Sequence, residues 1–176
     1  LAAERVIPDT DVNPYGANFF LGREVEPWKI DKTLQMASEA GLAWVKLQFP
    51  WEQLEPERKG EFLVPQTGVS TWDKYDRIVS ACEQHGLEIV ARLDRPPNWA
   101  RADNTYQQAP PDDHHDYGDF VFAFVSHYKG RIHYIQIWNE PNIFPEWGNQ
   151  PVDPAAYTAL LRIAYERAKQ ADPNIR

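Results

Sequence analysis

The sequence predicts an α/β chain: the first four βα units of a TIM (β/α)8 barrel, a half barrel. Three observations carry this. Strand-length runs of β-branched and aromatic residues alternate with segments whose apolar residues recur every three or four positions. Gly41, Gly86 and Gly130 close three of those helical segments, 45 and 44 residues apart, and an apolar strand follows each within a few residues. The unusual polar and aromatic residues stand after the strands, on long loops, while the turns after helices are short.

Taken in order, residues 1–14 are polar, with Pro8, Asp9, Asp11, Asn13 and Pro14, and read as an N-terminal arm. The remainder, 15–176, is one partial barrel domain. Tyr15 to Phe20 is the first strand. Ile30, Leu34, Ala37 and Ala40 then follow helical spacing up to Gly41. Leu42 to Phe49 is the second strand, ended by Pro50, which has no N–H for a sheet ladder. Ser70, three residues before Asp73, predicts a capping box with Asp in the usual Glu position. Trp72, Tyr75, Ile78, Val79 and Cys82 form one stripe down that helix.

Leu87 to Leu93 is the third strand, with Pro96 and Pro97 just beyond. Tyr117, Phe120, Val121, Phe124, Val125 and Tyr128 mark the third helix at helical spacing. The fourth strand begins at Ile132 and ends in Trp138-Asn139-Glu140-Pro141. Asp153-Pro154 is an N-cap followed by an N1 proline. Tyr157, Leu160, Leu161, Ala164 and Ala168 line the fourth helix, Asp172-Pro173 ends it, and Ile175 opens a further strand.

Helix-length crossovers between strands make the strands parallel and the crossovers right-handed. A barrel and an open doubly wound sheet both accept that pattern. No G-x-G-x-x-G or Walker sequence follows any strand, so the positive sign for the open sheet is missing. A whole barrel takes about 250 residues, whereas the fourth unit here closes at Asp172 of 176. Half a barrel leaves its first and fourth strands unpaired. The expected partners are the C-terminal half of the barrel or a second copy covering the open edges.

Composition narrows the classes. The chain is 43% hydrophobic, with no apolar run of membrane-spanning length. A net charge of −8 argues against a nucleic-acid backbone as partner. Cys82 is the single cysteine and reads as a buried helix residue. The chain starts at Leu1 without a Met or a visible signal sequence, so a trimmed or processed piece is expected. Asp112-Asp113-His114-His115-Asp116 lies at the start of a helix, where acids offset the dipole; its spacing does not suit a metal. His85 and His127 fall at helix C-termini, and Glu55 to Glu61 reads as a solvated charged loop. No cofactor is called for.

The candidate site lies on the loops after the strands: Trp51 and Glu52, then Asp94, Arg95 and Trp99, then Trp138, Asn139, Glu140, Phe144 and Trp147. At Ile135-Gln136-Ile137-Trp138-Asn139-Glu140-Pro141 the sequence resembles the clan A glycoside hydrolases, (β/α)8 barrels that include cellulases, mannanases, β-xylosidases and β-galactosidases. Trp51-Glu52-Gln53-Leu54-Glu55-Pro56, Trp72-Asp73-Lys74-Tyr75-Asp76 and Pro96-Pro97-Asn98-Trp99-Ala100 are similar to stretches common in that clan. The resemblance implies a carbohydrate substrate, Glu140 as general acid/base and Asn139 as a hydrogen-bond partner of the sugar 2-hydroxyl. It also implies an extracellular or cell-envelope location. On this reading Trp51, Trp99 and Trp147 stack on sugar faces, while Trp138, Phe144 and Trp147 keep water from Glu140. Asp94 binds hydroxyls or pairs with Arg95, and Arg92 or Lys46 orients carboxylates.

A retaining mechanism needs a second carboxylate about 5–5.5 Å from the first. The resemblance places it after a seventh strand, at about residue 275 by the same repeat, so the chain alone is expected to be inactive. Two other readings use the same residues: a non-catalytic carbohydrate-binding barrel, which would keep the tryptophans without needing Glu140, and an α/β protein-interaction domain with structural aromatics.

Overall fold

A computed structural model describes residues 12–176; the first eleven residues of the arm lie outside the described region. Four parallel strands form one sheet in sequence order: β1 (Gly16–Phe19), β2 (Trp44–Pro50), β3 (Glu88–Asp94) and β4 (Tyr134–Ile137). Between them run α1 (Pro27–Glu39), the single turn α2 (Trp51–Leu54), α3 (Trp72–Gln84) and α4 (His114–His127). A short extended segment, β5 (Glu146–Asn149), precedes α5 (Pro154–Ala171).

The alternation of β2 and β3 decides which face is core. Val45, Leu47 and Phe49 on β2, and Ile89, Ala91 and Leu93 on β3, are at most 3% exposed. They face the helices, where Phe49 meets Tyr75 at 5.1 Å and Phe124 at 5.0 Å between ring centroids. Each of them larger than Ala91 contributes about 1.5–3 kcal/mol by leaving water. The opposite face carries Lys46, Gln48, Arg92 and Gln136, all half-buried. Register places Gln48, Arg92 and Gln136 in one row across three strands. This polar face is the side that looks into the barrel in the (β/α)8 fold.

The helix ends follow local chemistry. Leu42 N–H reaches Ala37 O at 3.1 Å and Leu87 N–H reaches Cys82 O at 3.0 Å, both across a left-handed glycine, which closes α1 and α3. Asp153 caps α5 by accepting from Ala155 N at 2.9 Å and Ala156 N at 3.0 Å. Asp113 caps α4 through His115 N. The capping box expected at Ser70 does not form. Ser70 Oγ accepts from Trp72 N at 3.2 Å, while Thr71 is the N-cap and spends its hydroxyl on Leu54 O at 2.5 Å. Asp73 is left in the first turn with its charge toward the dipole.

The further strand at Ile175 begins as expected. Arg176 N–H donates to His133 O and Ile135 N–H donates to Arg176 O, both at 2.8 Å, the bonding of a parallel neighbour on the free edge of β4. At the sheet's other end Asn13 Nδ2 donates to Gly41 O, and Trp44 Nε1 donates to Asn13 O at 2.7 Å.

Candidate active site at the C-terminal rim of the sheet

Parallel strands with right-handed crossovers deliver all their trailing loops to one rim. There the β2 and β3 loops are stitched together, since Glu52 N–H donates to Arg95 O at 2.9 Å and Arg95 Nε donates to Glu52 Oε1 at 3.0 Å. Trp138 N–H donates to Leu93 O at 3.0 Å and carries the pairing one residue past β4. Three non-glycine residues at this rim have left-handed backbones: Arg95 (φ 59°), Trp138 (φ 67°) and Glu140 (φ 40°). Each costs about 1–3 kcal/mol and persists only because its surroundings hold it there. Such strain concentrated on one rim points to a site.

A chain of polar contacts crosses that rim. Gln48 Nε2 donates to Asp94 Oδ1 at 2.8 Å. Asp94 Oδ2 lies 2.9 Å from Arg92 Nε, but the N–H is not directed along that line, so the two are a charge pair rather than a directed bond. Arg92 Nη1 donates to Asn139 Oδ1 at 3.1 Å. That contact settles the Asn139 amide: its oxygen faces Arg92 and its NH2 faces Glu140 Oε2, at 3.4 Å. Asp94 is 4% exposed. Burial pushes its carboxyl above the usual range, with Arg92 and Gln48 pulling the other way. Glu140 itself is exposed on the lip.

The aromatic half of the expectation needs correction. Trp51, Trp138 and Trp147 are at most 1% exposed, so none presents a face to a sugar. Their loops fold down over the helix tops. Trp51 stacks on Phe120 at 5.2 Å, and Trp138 packs edge-on against Tyr117 and Trp147, both at 5.5 Å. An aromatic ring buries 150–250 Å² and gains more from core than from rim. Trp99 alone of the four is half-buried, with its indole N–H held by Glu55 O at 2.8 Å. Phe144 points outward, 64% exposed. Thus neither it nor the two buried indoles encloses Glu140.

Glu55 also departs from the solvated loop expected of it. It is 3% exposed and accepts from Trp51 Nε1 at 2.5 Å and from Gly60 N–H. Burial raises its pKa, and those two donors lower it in part. Lys46 stands mid-strand, in register with Val90, away from the rim. Asp94 pairs with Arg92 rather than Arg95, which takes Glu52. Asp116 pairs with Lys59 at 2.7 Å, and His85 and His127 bond Asp31 and Asp76 at 2.8 Å. Among the described residues there is no grouping of three or more His, Cys, Asp or Glu that suits a metal ion. None of the described helices is long and apolar enough to cross a membrane.

Sequence reasoning missed Gln48, Gln136 and Arg101. The first two face the barrel side by the period-2 alternation, a signal already present in the strand. Arg101 is 6% exposed and donates to the carbonyls of Pro96, Tyr106 and Ala109. Nothing in the sequence marked it.

This architecture is the first half of a (β/α)8 barrel of the kind glycoside hydrolases are built on. A monomeric beta-xylosidase from Caulobacter crescentus superposes with a TM-score of 0.70 at 21% identity, over 92% of this chain and 34% of that one. A family 39 glycoside hydrolase from Bacteroides cellulosilyticus gives 0.67 at 22% identity, over 92% of this chain and 30% of that one. An exo-beta-1,4-mannosidase from Opitutaceae bacterium strain TAV5 gives 0.69 at 21% identity, over 91% and 30%. In sequence the chain is 24% identical over 116 residues to a chloroplastic beta-glucosidase-like protein of Oryza sativa subsp. japonica, covering 65% of this chain and 18% of that protein. The chain therefore spans a third or less of the length of most of these relatives. No family model matches it.

Proposed function

We propose that this chain is the N-terminal part of a retaining glycoside hydrolase acting on β-linked oligo- or polysaccharides, with Glu140 as general acid/base. The observation that carries the reading is the Asn139–Glu140 pair at the C-terminal lip of β4, its amide oriented by Arg92. A glycosidic oxygen is a poor leaving group until it is protonated, so an acid has to stand beside the bond. Asn139, with its oxygen occupied, offers an N–H to the sugar 2-hydroxyl, a bond that strengthens as the oxocarbenium-like transition state forms. The chain's likeness in fold to sugar-cleaving barrels supports the same reading.

The nucleophile belongs to a later strand on this reading, and the C-terminal half of the barrel, or a second copy, covers the open sheet edges. The chain by itself does not turn over glycosides. Incubation with aryl β-glycosides tests this, and turnover that disappears in Glu140→Gln would refute it. In a chain extended through further βα units, Glu140→Gln lowers hydrolysis of alkyl β-glycosides by about 10²–10⁴-fold. For dinitrophenyl glycosides, whose leaving group needs no proton, it spares kcat/KM but lowers kcat, because the glycosyl-enzyme then lacks the base that activates water. Equal losses of kcat/KM on both substrates would remove Glu140 from the acid role.

A further inference from the structure

Asp94 is a carboxylate buried at the rim that the proposed reaction does not use. It continues the inward-facing alternation of Arg92 at the end of β3 and is 4% exposed. Gln48 Nε2, on the neighbouring strand, donates to its Oδ1 at 2.8 Å, and Arg92 Nε lies 2.9 Å from its Oδ2. Removing one member of a buried ion pair is costly, yet apolar side chains of the same volume in place of both are often as stable. Stability alone therefore does not account for a charge here. We propose that Asp94, seated by Gln48, is a positioning residue: it pins the Arg92 guanidinium and thereby fixes which end of the Asn139 amide faces Glu140. The proposal rests on the glycosidase reading, in which that end is the one offered to the sugar 2-hydroxyl.

The direction of the hydrogen bonds points the same way. An amide side chain turned by half a revolution exchanges its donor and acceptor ends, so only its partners decide between them. A guanidinium has donors and no acceptor. Arg92 Nη1, 3.1 Å from Asn139 Oδ1, therefore admits the oxygen and refuses the NH2. The opposite orientation would also set the Asn139 oxygen against the Glu140 carboxylate, where the NH2 now lies 3.4 Å from Oε2. Among the described residues, this is the one directed hydrogen bond of the Arg92 side chain, and its Nε has none. A single bond does not hold a long side chain that is still 13% exposed and can turn its head toward water. The charge of Asp94 supplies the second point of attachment.

The main chain of Asn139 is fixed separately. Gln136, one strand over from Arg92 and in register with it, donates from Nε2 to Trp138 O at 2.7 Å, and Trp138 N–H donates to Leu93 O at 3.0 Å. These bonds hold Trp138 in its left-handed conformation (φ 67°) and present Asn139 at the lip. The inner row thus divides the task. Gln136 sets where Asn139 stands, while Gln48, Asp94 and Arg92 set which way its amide points. Supporting contacts of this sort keep a reactive constellation within about 0.5 Å of its working geometry.

The test is a double-mutant cycle read in the Asn139 side-chain NH2 signals of the ¹⁵N-labelled chain. Asp94→Asn keeps the shape and removes the charge, whereas Arg92→Lys keeps the charge and removes the planar fork. Each shifts the Asn139 NH2 pair and abolishes its cross-relaxation with the Glu140 side chain, while the α1 amides stay in place. In the double variant the shift is no larger than in Arg92→Lys alone, because Asp94 acts only through Arg92. Shifts that add, or an Asn139 pair unmoved by Asp94→Asn, would overturn the proposal. Gln48→Met, which disturbs no charge, moves the same signals less far in the same direction; it decides the matter if Asp94→Asn does not fold, and no movement there overturns the proposal too. In the chain extended through further βα units, Asp94→Asn lowers kcat/KM about tenfold on an aryl β-glycoside, the worth of one hydrogen bond. It leaves the 2-deoxy counterpart unchanged, since that sugar has no hydroxyl for Asn139 to hold. Equal losses on both would make Asp94 merely structural. An extended chain that cleaves no glycoside would overturn the glycosidase reading and the kinetic role with it, whereas the amide signals judge the clamp on Asn139 independently of any sugar.

Discussion

At the scale of single residues, two buried carboxylates set the behaviour of the rim. Asp94 and Arg92 have side chains only 5% and 13% exposed. Asp94→Ala leaves a cation without its counter-charge and destabilises the chain by about 3–5 kcal/mol in urea unfolding. A loss below 1 kcal/mol would mean the pair is effectively solvated. Glu55 has its folded pKa raised above the ordinary 4.5 by burial. The folded state therefore holds this proton more tightly than the unfolded chain does. The contribution is fully present below the ordinary value and is lost as pH rises through the raised one. The thermal midpoint of the wild type relative to Glu55→Gln should accordingly fall as pH increases from the ordinary carboxylate range toward neutrality. A difference that grows over that interval would contradict the assignment.

At the scale of elements, the contact between α4 and α5 is the tightest constraint. A Cβ at Gly118 would lie 2.6 Å from Ile163 Cγ2 and 3.1 Å from Arg167 Cγ. Gly118→Ala pushes the helices apart and costs about 1–3 kcal/mol. That loss exceeds what helix propensity returns, since Ala is favoured over Gly by about 1 kcal/mol. Chemical denaturation reads the sign directly, and a stabilised variant would show that the helices shift freely. At the other end of α5, Asp153→Ala removes the acceptor of two N–H groups and costs about 1 kcal/mol. The cap at Asp153, the acids at the start of α4 and the stripe of α3 were legible because each depends on neighbours within a few positions. The start of α3 was not. Thr71 takes its partner from Leu54, seventeen residues back, and local spacing says nothing about such a bond.

At the scale of the whole molecule, stability is distributed unevenly across the sheet. β2 and β3 are paired on both sides and carry the most deeply buried side chains, whereas β1 pairs only with β2 and is exposed over Gly16, Ala17 and Asn18. Native-state hydrogen exchange should find the Val45, Leu47, Ile89 and Ala91 amides opening only with global unfolding, and the β1 amides opening locally. Equal protection of all four strands would show that β1 is covered in solution. The half-open sheet also explains the polar inner row Gln48–Arg92–Gln136. A face that looks into a barrel's interior at the site end carries polar groups rather than a second core.

The sequence by itself determined the order of the four parallel strands and the four long helices, their parallel sense and the rim on which Asn139 and Glu140 stand. Those follow from hydrophobic period, helix-ending glycines and the handedness of crossovers, all local or topological. Only the tertiary structure decided which aromatic loop residues became core and which stayed open. Trp51, Trp138 and Trp147 turned under while Phe144 turned out. Composition cannot anticipate that, because a large apolar ring lowers its free energy on either side of a loop and packing against distant residues settles the choice. Arg101, held by backbone carbonyls, and Glu55, held by the Gly60 N–H and the Trp51 indole, are buried polar residues that became visible for the same reason.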